Sequence, residues 1–432
     1  MQDDASGHDD GSGAGWKALV HRLGLGAERA FERVRDRFDA RFRPDRPLHV
    51  VPYRGHANAD RATVSARVLV YAEPPDGAPD SLWHRLQTSY RRFETDEVPG
   101  ARVRLRAPGT DLEGTTDAEG YVHFDFRPPA PAEARAGRTA SGAGGEAPAV
   151  AAEIAEGRSG AGTDGFEVTF SLPDEPEAPE ATTVIVRPGP GARVGIVSDV
   201  DDTVLVTEAT SVLKMMRLTL LESSESRVAF PGVGAFYRAL TDGVNPLFYV
   251  SSSPWNLYEF LVDFMRLKGL PDGPLLLRDL GIDEDKLGAG THGGHKLDAI
   301  RGVMERHAHL DFVLIGDSGQ HDPEIYETIA REFPGRVRAI YVRDVAGDAR
   351  DVEVGEVAER LERADTTMLL VADTLAAARH AAAIGLIDAA ELDAVAAEVG
   401  RDLGAHDAVD GQDRDEDRDG GPTGAGADRP PA

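Results

Sequence analysis

A short apolar run that ends in a group of aspartates constrains the fold more than any other stretch of the chain. Residues 194–198 read V-G-I-V-S, which is typical of a buried β-strand, and Asp199, Asp201 and Asp202 follow within four positions. Carboxylates this close together repel one another, and burying them costs free energy unless a cation or a reaction uses them. The alternative is a plain Asp-rich turn after a strand, because aspartate is common in turns.

The composition of the chain excludes several classes of function. The 432 residues carry a formal net charge of −28, which argues against a nucleic-acid binder, since such proteins normally present a basic surface. The chain has no cysteine, so disulfide partners, thiolate metal sites and cysteine nucleophiles are excluded. Its first residues lack the pattern of a signal peptide, and no apolar stretch is long enough for a membrane span. We therefore expect a cytoplasmic protein.

The N-terminal part of the chain divides into three predicted regions. Residues 1–15 are predicted to be disordered, and residues 16–46 to form an amphipathic helix with an Arg-rich polar face. Such a helix can lie on an anionic membrane or pack on its own protein, so peripheral membrane contact stays open. Residues 47–187 contain short alternating runs that predict an all-β sandwich, with a low-complexity insertion at residues 128–164.

Two runs within the β-rich region alternate clearly between apolar and polar residues. These runs, residues 101–106 and 121–126, are expected to pair as a hairpin across the turn at residues 116–120. No part of the region gathers catalytic side chains, so we expect it to bind a partner or to act as a spacer. Residues 188–192, which are rich in Pro and Gly, are predicted to be a linker.

From residue 193 to residue 398, apolar runs alternate with helical stretches, which is typical of a parallel α/β sheet. Ligands of such open sheets bind beyond the carboxyl ends of the strands. Residues 399–432 are predicted to be a disordered acidic tail. The expected strands are residues 194–198, 246–251, 312–316, 337–342 and 368–371, and the expected helices are residues 233–241, 255–268, 296–307, 323–333 and 375–384.

Three further polar clusters follow predicted strands or begin predicted helices. Ser251 and Ser252 come directly after one strand, and Lys296 opens a helix. Asp317 and Asp322 lie in a Gly-containing segment after another strand. Hydroxyl and ammonium groups can hold phosphate oxygens, and paired carboxylates can hold Mg²⁺. Taken alone, the serines are explained equally well as a helix cap and the acid pair as a turn, and a lone lysine is usually a solvated one.

The order of these four clusters resembles the four motifs of the haloacid-dehalogenase-like phosphohydrolases. The first motif, D-V-D-D-T at residues 199–203, and the fourth, G-D-x-x-x-x-D, are the most specific. Residues 249–256, 314–322 and 373–386 are also similar to the actin-patch-associated phosphatidate phosphatases, and the β-rich segment with residues 51–55 is similar to bacterial members. The resemblance implies a Rossmann-like parallel sheet of the haloacid-dehalogenase type and a Mg²⁺-dependent phosphatase, whose substrate in the best-known branch is phosphatidate.

The resemblance also implies a role for each candidate residue. Asp199 would be the nucleophile that forms an aspartyl-phosphate, and Asp201 would be the general acid and then the general base. Ser251 or Ser252, together with Lys296, would bind the phosphoryl oxygens. The implied ligands of Mg²⁺ are Asp199, Asp201 through its backbone carbonyl, and Asp317, while Asp322 would either bind the ion directly or orient a metal-bound water.

Three hypotheses about function remain open on the sequence. The chain releases diacylglycerol and phosphate from phosphatidate, or it removes phosphate from a soluble phosphoester or a phosphoprotein, or it is a non-enzymatic scaffold that binds through its β-rich region. Residues 207–227, which are rich in Leu and Met, are expected to form either a small lid at an acyl-chain entrance or an ordinary helix packed on the sheet.

Overall fold

The computed structural model describes residues 47–70, 98–130, 165–200, 230–278, 292–345 and 348–419. The predictions for residues 1–46 and 207–227, and for all but the start of the insertion at residues 128–164, therefore lie outside the described residues. None of the helices in the described part of the chain is both long and apolar enough to cross a bilayer.

The N-terminal described region forms one sheet of eight strands whose neighbours are mostly antiparallel. The strands are β1 (Leu48–Pro52), β2 (Gly55–Ala57), β3 (Ala62–Val70), β4 (Arg102–Ala107), β5 (Thr110–Thr115), β6 (Tyr121–Phe126), β7 (Phe166–Ser171) and β8 (Ala181–Val186). Their order is β1-β3-β2-β8-β7-β4-β5, and β6 pairs with β3. Alternate side chains, such as Val103 and Leu105 of β4, are fully buried because they point to the same face.

The distant parts of this sheet pack against each other over one apolar core. The rings of Phe124 in β6 and Phe170 in β7 lie 6.0 Å apart, although these two strands are not neighbours in the sheet. A β-carbon on Gly114 of β5 would lie 2.9 Å from the Val122 side chain of β6. The core therefore sits between strands that the sheet order separates.

The predicted hairpin between residues 101–106 and 121–126 is wrong. β4 pairs instead with β5 across a tight turn in which Gly109 has a φ of 71°, and β6 pairs with β3. The sequence of β5, T-D-L-E-G-T, contains only one apolar residue and alternates only between half-buried and exposed positions. It therefore lacks the apolar alternation by which a strand is recognised.

The C-terminal described region contains a second sheet of six strands, all of them parallel. They are β9 (Val194–Asp199), β10 (Leu247–Pro254), β11 (Leu275–Arg278), β12 (Asp311–Asp317), β13 (Val337–Arg343) and β14 (Met368–Val371). Their spatial order is β11-β10-β9-β12-β13-β14, which corresponds to the 3-2-1-4-5-6 order of doubly wound sheets. The order reverses between β9 and β12, and ligands bind at such a switch point.

Helices cover both faces of the parallel sheet. They are α1 (Val233–Thr241), α2 (Tyr258–Leu267), α3 (His292–Arg306), α4 (Asp322–Glu332), α5 (Asp348–Glu362), α6 (Thr374–Ala383) and α7 (Ala389–Asp419). One apolar cluster joins the sheet to α1, α2, α6 and α7, and a second joins it to α3, α4 and α5. The parallel sheet and the antiparallel one together confirm the predicted mixed α/β class.

The last helix crosses the boundary that the sequence predicts at residue 399, because α7 continues to Asp419. Val399 packs against the core, and two carboxylates of α7 accept hydrogen bonds at the start of α1. The Gly232 N–H donates to Asp402 Oδ2 over 2.7 Å, and the Ala235 N–H donates to Glu398 Oε1 over 2.8 Å. These bonds satisfy N–H groups that have no partner within their own helix.

Candidate active site

The two strands at the switch point both end in an aspartate. Asp199 is the last residue of β9 and Asp317 the last of β12, and both side chains are fully buried. The register pairs Ile315 with Ser198 on one side of β9 and Val250 with Asp199 on the other. The carboxyl ends of β9, β10 and β12 therefore lie at one edge of the sheet, as the sequence predicts for the motif residues.

Lys296 of α3 reaches this edge and contacts two of the carboxylates. Its Nζ lies 2.8 Å from Asp199 Oδ1, and it also donates a hydrogen bond to Asp322 Oδ1. Burial acts to lower the pKa of Lys296, but the attraction of Asp199 and Asp322 outweighs burial and raises the pKa above its ordinary value. Lys296 is therefore a fixed positive charge between two acids, and not a solvated surface lysine.

The segment after β12 folds back so that Asp322 meets Asp317. The Asp317 N–H donates to Asp322 Oδ2 over 3.2 Å, and the Gln320 N–H donates to Asp317 Oδ1 over 2.9 Å. Asp322 is the first residue of α4, where the helix dipole favours a negative charge. A β-carbon on Gly316 would collide with the Asp322 carboxylate and lie 2.8 Å from the Tyr326 hydroxyl, so this close approach requires glycine.

Three of the predicted metal ligands form one compact group. Asp199, Asp317 and Asp322 are buried and each offers an oxygen within 4.8 Å of the others. Three carboxylates against one lysine leave an excess of two formal negative charges in this group, which is costly to bury without a counter-ion. A hard divalent cation with oxygen ligands fits both the donor atoms and the charge.

Ser251 and Ser252 follow directly after the residue that pairs with Asp199. Ser251 is fully buried, its Oγ accepts the Ser253 N–H over 3.0 Å, and Ser252 is half-buried. The pairing of β10 with β11 shifts register between Val250 and Pro254. The three serines therefore lie in an irregular part of β10, which we call the serine segment (residues 251–253).

A buried hydrogen-bond chain behind Asp199 was not predicted from the sequence. Ser198 Oγ donates to the Asp199 carbonyl over 2.7 Å and lies 2.6 Å from the Tyr237 hydroxyl of α1. The chain ties the end of β9 to a helix that packs on one face of the sheet. The one available signal was a polar residue, Ser198, within an otherwise apolar run. Asp201 lies outside the described residues, so the structure gives no geometry for it.

The part of the chain that contains this candidate site is similar to known proteins. Residues 194–344 match the family model described as the catalytic domain of phosphatidate phosphatase APP1. Phosphatidate phosphatase APP1 of Saccharomyces cerevisiae is 31% identical over 161 residues, which cover 37% of this chain and 27% of the yeast protein. An uncharacterized protein of Schizosaccharomyces pombe is 31% identical over 159 residues, which cover 36% of this chain and 26% of that protein.

The similarity covers only part of each relative. The matched region spans about a quarter of the length of either curated relative. A solved carbohydrate acetylesterase from Xanthomonas citri covers 66% of this chain and 65% of its own, at 10% identity and a TM-score of 0.21, and that likeness carries no argument. Residues 194–344, which hold the buried aspartates and Lys296, are similar to the catalytic domain of a phosphatidate phosphatase family, and this similarity supports a phosphatase.

Proposed function

We propose that the chain is a Mg²⁺-dependent phosphatidate phosphatase that acts through an aspartyl-phosphate on Asp199. One observation carries the proposal: Asp199, Lys296, Asp317 and Asp322 converge, buried, at the carboxyl edge of the sheet. The similarity of residues 194–344 to the APP1 catalytic domain supports both the phosphatase chemistry and the lipid substrate.

In this proposal, the chemistry proceeds in two displacements at phosphorus. A carboxylate oxygen of Asp199 attacks phosphorus, the bond to the diacylglycerol oxygen breaks, and Asp201 gives its proton to that oxygen. Asp201 then takes a proton from water, whose oxygen attacks phosphorus and releases inorganic phosphate and the free Asp199 carboxylate. Asp201 thus gives up a proton in the first step and takes up another in the second, while Asp199 reacts as the unprotonated carboxylate.

The remaining residues bind and orient the phosphoryl group. Lys296, which the adjacent aspartates keep protonated, balances the charge of the nucleophile and of the phosphoryl oxygens. Ser251 or Ser252 donates a hydrogen bond to a phosphoryl oxygen. Asp199, Asp317 and Asp322 would hold Mg²⁺, together with the Asp201 backbone carbonyl. When bound, the cation supplies the charge that lets one anion approach another.

Two finer features of the fold belong to the same proposal. The 3-2-1-4-5-6 order of the parallel sheet, with acids on both strands at the switch point, supports a Rossmann-like fold of the haloacid-dehalogenase type. The contact between Phe124 and Phe170, on strands that are not neighbours, supports a β-sandwich in the N-terminal region. β1 pairs with β3, and β2 pairs with both β3 and β8, so these two strands would link the two layers of the sandwich.

A substrate panel tests the proposed function. Phosphate release is measured from phosphatidate in mixed micelles, from a soluble phosphomonoester and from a phosphopeptide, each with Mg²⁺ and with EDTA. We expect release from phosphatidate with Mg²⁺ and loss of that release with EDTA. Release from the soluble esters alone would move the substrate to the second hypothesis. No release from any of the three would overturn the enzymatic proposal and favour a binding scaffold.

A further inference from the structure

The antiparallel domain contacts the parallel sheet beside the serine segment. Val51, Tyr53, Leu69 and Tyr121 belong to the same buried cluster as the core between the parallel sheet and α1 and α2. The antiparallel domain therefore adds apolar residues to a core of the parallel sheet, besides having a core of its own. Residues 188–192 connect the two regions along the chain, and the apolar contacts of this cluster pack the two regions against each other.

The contact centres on Tyr53, which lies between β1 and β2 and is 3% exposed. Its ring lies 4.6 Å from the ring of Trp255 and 4.5 Å, edge to face, from that of Tyr258. Trp255 follows the serine segment after one proline, and Tyr258 is the first residue of α2. The antiparallel domain thus packs on the residues that connect the serine segment to the next helix.

Arg54 adds two polar contacts from the same strand connection. Its backbone N–H donates to the Tyr258 hydroxyl over 2.9 Å. Its guanidinium pairs with Asp272 over 2.9 Å, and the Arg54 side chain is 8% exposed. Asp272 lies between α2 and β11, so Arg54 contacts the chain both at the start of α2 and after its end. A mostly buried ion pair of this kind fixes an orientation more than it adds stability.

The serine segment lies where the pairing of β10 with β11 is irregular. The register of β10 against β11 is regular up to Val250 and resumes, shifted, at Pro254. The packing of Tyr53 on Trp255 supports the end of the segment, where the register shifts.

We propose that Tyr53 and Arg54 are positioning residues that hold the serine segment in place for the phosphoryl group. The proposal rests on the proposed function and goes beyond it, because it makes the antiparallel domain part of the catalytic unit. Misplacing a hydroxyl that binds the phosphoryl group in the ground state and in the transition state alike raises KM more than it lowers kcat. Loss of the aromatic contact should therefore appear mainly in KM.

Four full-length variants test the proposal. Tyr53→Leu keeps apolar bulk but loses the ring contacts, Tyr53→Phe keeps them, and Tyr258→Phe removes only the hydrogen bond from Arg54. The matched control is Asn58→Ala, since Asn58 Nδ2 donates to the Arg306 carbonyl at the same interface but away from the serine segment. Circular dichroism and thermal unfolding establish that each variant is folded before steady-state kinetics with Mg²⁺.

We expect Tyr53→Leu to raise KM about tenfold, the upper range for an aromatic contact, with kcat within about twofold. Tyr53→Phe and Asn58→Ala should keep the KM of the unchanged protein. If Tyr53→Leu does not fold, Tyr258→Phe decides, with a smaller rise in KM expected. If the wild-type protein is active and Tyr53→Leu has the same KM as Asn58→Ala, this inference is overturned while the proposed function stands. If the wild-type protein itself shows no phosphatase activity with Mg²⁺, the proposed function is overturned, and this inference with it.

Discussion

At the scale of single residues, the site depends on how closely buried charged groups approach one another. Asp199, Asp317 and Asp322 lie within reach of one cation, and Lys296 separates two of them. The pKa of Lys296 is raised because the attraction of these acids outweighs its burial. The protonated, positively charged form of Lys296 is therefore favoured beside these acids.

Gly316 carries the first prediction at this scale. A side chain at residue 316 would collide with the Asp322 carboxylate and crowd Tyr326, so Gly316→Ala should lower the free energy of unfolding by about 1–3 kcal/mol. It should also reduce phosphatase activity, because Asp322 moves away from Asp317. Urea unfolding and phosphate release measure the two effects.

The matched control for this substitution is Gly302→Ala in α3. A β-carbon at Gly302 would meet nothing within 4 Å, and alanine favours the helix by up to about 1 kcal/mol over glycine. This variant should be as stable as the unchanged protein or more so. If Gly316→Ala is as stable as the wild-type protein, the segment after β12 can shift to make room for a β-carbon. That result would contradict the claim that the close approach of Asp322 requires glycine.

At the scale of helices and strands, apolar runs predicted the parallel sheet well. β9, β10, β12, β13 and β14 lie where continuous apolar runs predict buried strands, because strands buried on both faces need no polar alternation. The same reasoning missed β5, which has one apolar residue, and also β11, α5 and α7. The α5 and α7 helices are rich in charged residues, and only the contacts of α5 with β14 and of α7 with α1 and α6 reveal their apolar sides.

The candidate site, like the strands and helices, was predictable only in part. The order of Asp199, Lys296, Asp317 and Asp322 along the chain predicted that they lie together, since parallel strands bring their carboxyl ends to one edge, and the four side chains do lie together. It could not identify the Ser198–Tyr237 hydrogen bond or the contact of Tyr53 with Trp255, because these join residues far apart in sequence. Such contacts depend on how helices and domains pack, and no local pattern encodes them.

The contact between α7 and α1 carries the prediction at this scale. Asp402 accepts the Gly232 N–H at the start of α1, so Asp402→Ala should lower the free energy of unfolding by about 1 kcal/mol, as loss of a helix cap does. The control is Leu403→Ala, whose side chain is 51% exposed and whose effect should stay within about 0.5 kcal/mol. Equal urea midpoints for both variants would contradict a structural role for residues beyond 398.

At the scale of the whole molecule, a buried histidine pair lies between the two domains. His56 Nδ1 of β2 and His307 Nε2, just after α3, are 3.4 Å apart. Burial first, and then the nearby Arg306 and the partner histidine, lower the pKa of His56 to about 3, while Asp125 acts to raise it. Burial, His309 and Arg306 lower the pKa of His307 to about 3 as well.

These pKa values make the assembled molecule sensitive to acid. Below the ordinary pKa of 6.5 the unfolded chain binds protons that the folded protein does not, so stability is lost as the pH falls from 6.5 towards about 3. His56→Gln should flatten this loss, measured by urea unfolding at several pH values. His123→Gln, which changes an exposed histidine of β6, should keep the slope of the unchanged protein. If the stability of His56→Gln falls with pH as steeply as that of the wild-type protein, the histidine pair is not the source of the acid sensitivity.

The proposed chemistry of the whole molecule rests on Asp199 as the nucleophile. The most direct measurement compares Mg²⁺-dependent phosphate release from phosphatidate by the unchanged protein and by Asp199→Asn, with folding of both verified by circular dichroism. The substitution keeps the shape of the side chain but removes the attacking carboxylate, so we predict a loss of at least about a thousandfold in kcat. Release by Asp199→Asn at the rate of the unchanged protein would contradict the account.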